Sequence, residues 1–121
     1  RAVFQEEQQV EAALDFDGLD DTATQMLAYW QGQPVGTARI RYLNDRLAKI
    51  ERVAVLAEYR GVGIGRQLME GAIDFLKRQN VPEIKVNAQI QVKSFYEKLG
   101  FQQQGEAFYE AGILHVEMKR R

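Results

Sequence analysis

Apolar residues recur at helical steps in one long stretch of the chain and alternate with polar ones in most of the others. Ile64, Leu68, Ala72, Phe75 and Leu76 fall on one face at steps of three and four, which predicts a helix over 64–78. Lys77 and Arg78 complement the dipole of its last turn, and Asn80 supplies a stop. Val92, Phe95, Tyr96 and Leu99 repeat the same steps and run into Gly100, a helix terminator. Val3, Phe4, Val10 and Leu14 form a partial apolar stripe among Gln and Glu, so residues 1–14 read as a helix as well. Strands are predicted at 25–30, 34–43, 47–56 and 83–88, followed by a closing hairpin of 101–109 and 112–118 around Ala111-Gly112. Residues 15–21, acidic and with Gly18 in the middle, read as a loop. Their acids lack the spacing of a calcium loop. The order is helix, three strands, helix, strand, helix, two strands. That is one mixed α/β layer structure with an antiparallel first half.

Composition narrows the chemistry. At 121 residues the chain is expected to be one domain, 1–121, and 45% hydrophobic residues suffice for a core. Sixteen basic residues against seventeen acidic ones give a net charge of -1, no reason to expect nucleic acid or an anionic membrane as partner. The terminal Lys119-Arg120-Arg121 reads as a solvated tail. With no cysteine, disulfides, thiolate-bound zinc and a cysteine nucleophile are excluded, and a reducing cytoplasm is the expected location. His115 is the only histidine, which excludes a multi-histidine metal site, so no metal is expected. No apolar run approaches the ~20 residues of a membrane span, and no signal peptide is visible. The chain opens at Arg1 without a Met, so further residues are expected upstream.

The segment between the third strand and the long helix carries the most chemistry. Arg60-Gly61-Val62-Gly63-Ile64-Gly65 places a glycine-rich turn at a helix start. Backbone N–H groups there lack intrahelical partners, and the helix dipole adds about half a positive charge. Glycines let an anion approach the main chain. Arg60 and Arg66 can add charge-assisted contacts. Gly65 is followed by Arg66-Gln67 and not by Lys-Ser/Thr, so this is no P-loop, and the third glycine of a dinucleotide turn is absent. On spacing alone, an anion cradle and a purely structural turn stay open.

The residues say more. The stretch from Val53 to Gly65 resembles motif A of the GNAT superfamily, and Phe95-Tyr96-Glu97-Lys98-Leu99-Gly100-Phe101 is similar to its motif B, in the right order and separation. Gly36-Thr37-Ala38-Arg39-Ile40, Ile50 to Val55, Asn87-Ala88-Gln89 and Ala111-Gly112-Ile113-Leu114-His115 resemble the ElaA/YjcF-like branch, as does the Val3-Phe4 to Glu7-Gln8 stretch. The resemblance covers nearly the whole chain. That branch begins with a strand ahead of its first helix, so one edge strand is expected to be missing.

The resemblance implies a GNAT fold, acetyl-CoA as cosubstrate, and acyl transfer to a primary amine of a small molecule or peptide. A homodimer would be common in the family. Val53 and Val55, with Ala54 between them, match the strand whose backbone bonds the pantetheine arm. Arg60, Gly61, Val62, Gly63, Ile64, Gly65 and Arg66 match the pyrophosphate cradle. Gln89 stands where many relatives carry a cofactor-contacting Asn. Tyr96 matches the tyrosine that protonates the departing thiolate, although it also falls on the apolar stripe of its helix. Glu51 is the candidate general base, on the expectation that period-two alternation puts it on one strand face with Val53 and Val55. The alternative is a surface carboxylate paired with Lys49. His115 reads as a structural histidine. Arg39 and Arg41 share a strand face, where an acidic substrate and bulk solvent are the alternatives. A non-catalytic acyl-CoA-binding or regulatory module is the alternative to an enzyme.

Overall fold

The computed structural model describes residues 10–121. Seven strands form one sheet in the order β1-β2-β3-β4-β5-β7-β6. They are β1 (Ala13–Asp20), β2 (Ala23–Trp30), β3 (Gln33–Tyr42), β4 (Leu47–Val55), β5 (Glu83–Gln89), β6 (Gln102–Glu110) and β7 (Ile113–Arg120). Helix α1 (Ile64–Arg78) follows β4, and the short α2 (Lys93–Lys98) follows β5. All neighbouring pairs are antiparallel except β4 with β5.

The helical prediction for 64–78 holds at both ends. Ile64, Leu68, Ala72 and Leu76 are buried against the sheet, where they meet Met26, Ile40 and Ile50. Asn80 adopts φ 62° directly after the helix, a conformation Asn tolerates better than most residues. The hairpin tips Gln31-Gly32 and Ala111-Gly112 both have two consecutive positive φ values, the two-residue turn that matches strand twist.

Two expectations for the amino-terminal part need correction. The acidic segment at 15–21 is not a loop except at its end: residues 15–20 belong to β1, paired with β2, and only Asp21 lies in the turn. Leu14 and Phe16 turn inward while Ala13, Asp15 and Asp17 face water. Phe16 stacks on Phe75 of α1 with ring centroids 4.3 Å apart. The outward acids suit an edge strand, where charge opposes pairing with another chain. The predicted helix over 1–14 does not reach its expected end, since Ala13 and Leu14 are already strand, and residues 1–9 of it lie outside the described residues. The basic triplet is also not a free tail. Lys119 and Arg120 belong to β7, and Arg120 Nε donates to the Leu99 carbonyl at 2.9 Å.

The sheet opens at one place. β4 and β5 pair only over Leu47↔Glu83, Ala48↔Ile84 and Lys49↔Lys85, and both strands then continue without each other. β4 also carries a bulge. Arg39 pairs Glu51 and Thr37 pairs Ala54, so two steps on β3 span three on β4, and Arg52 sits at φ 55°.

Candidate active site

The splay makes a cleft of ≈ 530 Å³ between β4 and β5. Glu51, Val53, Asn87, Gln89, Tyr96 and His115 are among its lining residues. The main chain of β4 offers its polar groups to this gap. Leu56 N–H donates away from it, to Val35 O at 2.9 Å. Strand alternation therefore turns the N–H and C=O of Val55, and of Val53, toward β5. Arg60 agrees with this direction, because its Nε reaches the Val55 carbonyl at 3.1 Å.

The glycine turn closes one end of the gap. Gly61 and Gly63 hold φ of 83° and 93°, values that side chains rarely adopt. Gly63 is the N-cap of α1 and provides no side-chain cap, so the N–H groups of the first turn stay available. A Cβ at Gly61 would meet nothing within 4 Å, and one at Gly65 would meet only Val55 Cγ2 at 4.0 Å. Packing therefore leaves the space over these two positions open, which is what a close-lying phosphate requires. Arg66 is directed elsewhere, to Glu70 Oε2 at 3.0 Å. Both partners are well exposed, so this pair is weak and its guanidinium can swing.

Tyr96 is fixed by aromatic packing, edge-on to Phe95 at 5.1 Å and to Phe101 at 5.8 Å between centroids. Burial raises its hydroxyl pKa above the ordinary tyrosine value, so it stays protonated at neutral pH and acts as a donor. Its position reconciles the two sequence readings: the ring is core and the residue lines the cleft.

Glu51 lies differently from its expected face. The extra residue at Arg52 reverses the alternation, so Glu51 shares a face with Ala54, while Val53 and Val55 turn to the other. The carboxylate still lines the cleft, because the gap is open to both faces. The pairing with Lys49 is present, at 3.6 Å, and Arg39 and Arg41 join it at 3.5 Å each.

His115, expected as a structural histidine, is held by its own strand and also reaches the cleft. It is 9% exposed and lines the same cleft. Nδ1 lies 2.7 Å from the Ile113 carbonyl, which assigns the proton to Nδ1 and the acceptor lone pair to Nε2. Only the pairing of β5 with β7, Gln89 opposite His115, brings it here, and no local pattern reports that.

A parallel pair that splays behind a glycine-rich helix start, with a half-buried tyrosine beside the gap, has the shape to take an extended chain with an anion at its end. The model of the acetyltransferase (GNAT) domain matches residues 2–121. The Bacillus subtilis protein YyaT is 39% identical across 99% of this chain and 82% of its own length. YjcF of the same organism, described as an uncharacterized N-acetyltransferase, is 33% identical across 98% and 84%. Among solved structures, Escherichia coli ElaA superposes with a TM-score of 0.77 at 27% identity, covering 88% of this chain and 74% of its own. Arabidopsis thaliana Naa50, in complex with the bisubstrate analogue CoA-Ac-MVNAL, gives 0.67 at 28% identity over 80% and 72%. The chain belongs to the GNAT family of acetyltransferases, in its ElaA/YjcF-like branch, and is an acyl-CoA-dependent acyltransferase.

Proposed function

We propose that this single domain transfers an acetyl group from acetyl-CoA directly to a primary amine of a small molecule or peptide, in the cytoplasm. The observation that carries this reading is the unpaired gap between β4 and β5, with the open glycine cradle at its end and Tyr96 within it. That Naa50 is solved in complex with the bisubstrate analogue CoA-Ac-MVNAL supports a CoA compound and a peptide amine as the two reactants.

Bound acetyl-CoA supplies an activated acyl group on a thiol leaving group. The chain's residues supply the rest. The turn from Arg60 to Arg66 holds the pyrophosphate on main-chain N–H groups, and Val53 and Val55, with Ala54 between them turned to β3, align the arm by strand-like hydrogen bonds. Gln89 approaches it from the β5 side. The Val55 N–H, fixed before reaction, donates to the thioester oxygen as negative charge grows there. Tyr96 donates its proton to the sulfur, whose pKa as a free thiol is about 8.5.

The amine must arrive neutral. One with a pKa of about 10.4 is neutral in only ~1 part in 2,500 at pH 7, a handicap of about 4.6 kcal/mol. Glu51 and His115 are the acceptors proposed for its proton, directly or through water. Three cations hold the Glu51 carboxylate, whereas the Nε2 lone pair of His115 has no partner among the described residues.

Thermal unfolding with acetyl-CoA, CoA and a nucleotide control tests the reading. A ligand at 100 times its dissociation constant stabilises by about 2.7 kcal/mol. Both CoA compounds are expected to raise Tm in the wild type and to leave Gly65→Trp unmoved. Gly65 has open space above it, so the variant folds with its cradle filled. A wild type indifferent to both compounds refutes the assignment.

A further inference from the structure

The face of the sheet turned away from α1 carries an unbalanced charge beside the cleft. Arg39, Arg41 and Lys49 surround one carboxylate, Glu51, and so outnumber it. The other acids of the amino-terminal strands are Asp15, Asp17 and Asp20 of β1, and Asp20 feels the charge of Arg39 only as the last of the influences on its carboxyl. They are separated from β3 by the whole of β2, about 10 Å at the usual strand spacing. On the β5 side, Glu117 is already taken by Lys85 at 3.6 Å.

The arginines also have donors to spare. Nε of Arg39 and Nε of Arg41 are buried and have no hydrogen-bond partner among the described residues. Arg39 Nε is within ion-pair distance of Glu51 Oε2 but is not aligned for a hydrogen bond. A buried guanidinium N–H without an acceptor is costly unless something else supplies the oxygen.

The opposite wall has the opposite deficit. Asn87 Oδ1 is buried without a donor among the described residues, while its Nδ2 is directed to Glu110 Oε1 at 3.4 Å, which fixes which atom is which. Glu110 and His115 stand beside it along the cleft. The β3 side beside Glu51 lacks acceptors, and the β5 wall lacks a donor.

Building on the acyl-transfer reading, we infer that the acceptor is an amine that also carries an oxyanion. Arg39 and Arg41 bind the oxyanion with their forked donors. Asn87 Oδ1 accepts from the amine, on the side where Glu110 and His115 face it. The site recognises a carboxylate or a phosphate by the same chemistry.

Matched acceptors test this. Glycine, β-alanine and γ-aminobutyrate are each compared with the alkylamine that lacks the carboxylate, and O-phosphoethanolamine with ethanolamine, following thiol release from acetyl-CoA. At least one acid-bearing member is expected to exceed its partner by roughly tenfold or more in kcat/KM. The phosphate pair shows which oxyanion is preferred. Arg39→Gln/Arg41→Gln should shrink that ratio to near unity without changing acetyl-CoA stabilisation, and Arg39→Lys/Arg41→Lys should leave an intermediate ratio. Equal rates within every pair overturn the inference. So does a lack of turnover with every acid-bearing amine in a protein that acetyl-CoA stabilises, and in that case the cofactor assignment survives. NMR of the wild type adds a measurement that needs no turnover and no variant fold. The arginine Nε–H resonances of Arg39 and Arg41 should shift with γ-aminobutyrate and not with propylamine. If they do while acetyl-CoA fails to stabilise, the anion site stands and the acyl-transfer reading falls. Unmoved resonances overturn the site.

Discussion

The two ends of the cleft are made from different materials. The proposed cofactor end consists of main chain: the polar groups of β4 at Val53 and Val55, and the N–H groups of the first turn of α1, uncovered by Gly61 and Gly65. The proposed acceptor end consists of side chains from separate strands, with Glu51 on β4, Asn87 on β5, Glu110 on β6 and His115 on β7 lining the cleft and Arg39 on β3 paired with Glu51 beside it. A main-chain site needs glycines in a row and a helix behind them, so it leaves a motif. A side-chain site assembled through sheet pairing leaves isolated residues, each compatible with a bland reading. The contrast also predicts different failures. The main-chain end should break when packing moves the backbone, and the side-chain end should break at single functional groups.

Tyr96 lies where the ends meet and gives the largest expected effect. Tyr96→Phe keeps the edge-on contacts with Phe95 and Phe101 and removes the proton donor. Loss of a positioned acid typically costs 10²–10⁴-fold, and we expect about 100-fold in kcat with acetyl-CoA binding unchanged. Steady-state kinetics beside a thermal titration reads both. An unaltered kcat would make Tyr96 a packing residue and shift thiolate protonation to water.

Gly36 sharpens the other side of the comparison. It lies on β3, outside the cradle, yet a Cβ there would come within 3.0 Å of Ile64 Cγ2 and 3.1 Å of Leu68 Cδ1, both at the start of α1. Gly36→Val must push that first turn away from the sheet. Overpacking of this kind costs about 1–3 kcal/mol. Because the displaced turn is the proposed cradle, the dissociation constant for CoA should rise as well. Chemical denaturation and calorimetric titration separate the two effects. A destabilised variant with unaltered CoA affinity would show that the cradle is not set by the packing of α1.

The same division explains what was legible in the chain. Helix α1 is readable to its ends because its buried positions keep a 3.6-residue period over 15 residues, whereas the glycine turn is ambiguous by spacing and gains its meaning from the likeness of Val53 to Gly65 to a family motif. Strand β1 was not read, although Leu14 and Phe16 alternate with Asp15 and Asp17. Four acids and a glycine in a short span carry loop propensity, and docking on Phe75 and pairing with β2 override it. The face of Glu51 was misjudged because a bulge at a non-glycine residue, Arg52, has no sequence signature and reverses every later position. The place of His115 in the cleft has no local signal, because the lining residues Lys49 and Glu51 are 66 and 64 positions away in the chain.

The smallest effect belongs to a turn at the far edge of the sheet, whose link to the acceptor end is the weak pull of Arg39 on Asp20. Asp20 closes the β1–β2 turn, accepting from the Thr22 hydroxyl and the Thr22 N–H at 2.7 Å each. The hydroxyl bond, followed by the backbone one, holds its carboxyl below the usual value of 3.8. A carboxylate with a depressed folded pKa contributes stability that is present above the unfolded value and lost as pH falls through the folded one. Asp20→Asn should therefore lower Tm slightly at neutral pH, and the gap to wild type should close below about pH 3.8, where the wild-type carboxyl takes up its proton. Thermal unfolding across the acid range measures this. Acetyl-CoA stabilisation and acyl transfer at neutral pH should be untouched, since the turn lies three strands from the cleft-lining β4. A variant that lost cofactor affinity would break the comparison at its root. It would mean that the edge hairpin holds the register of β3 and β4, and hence the splay, so that the main-chain end depends on the whole width of the sheet.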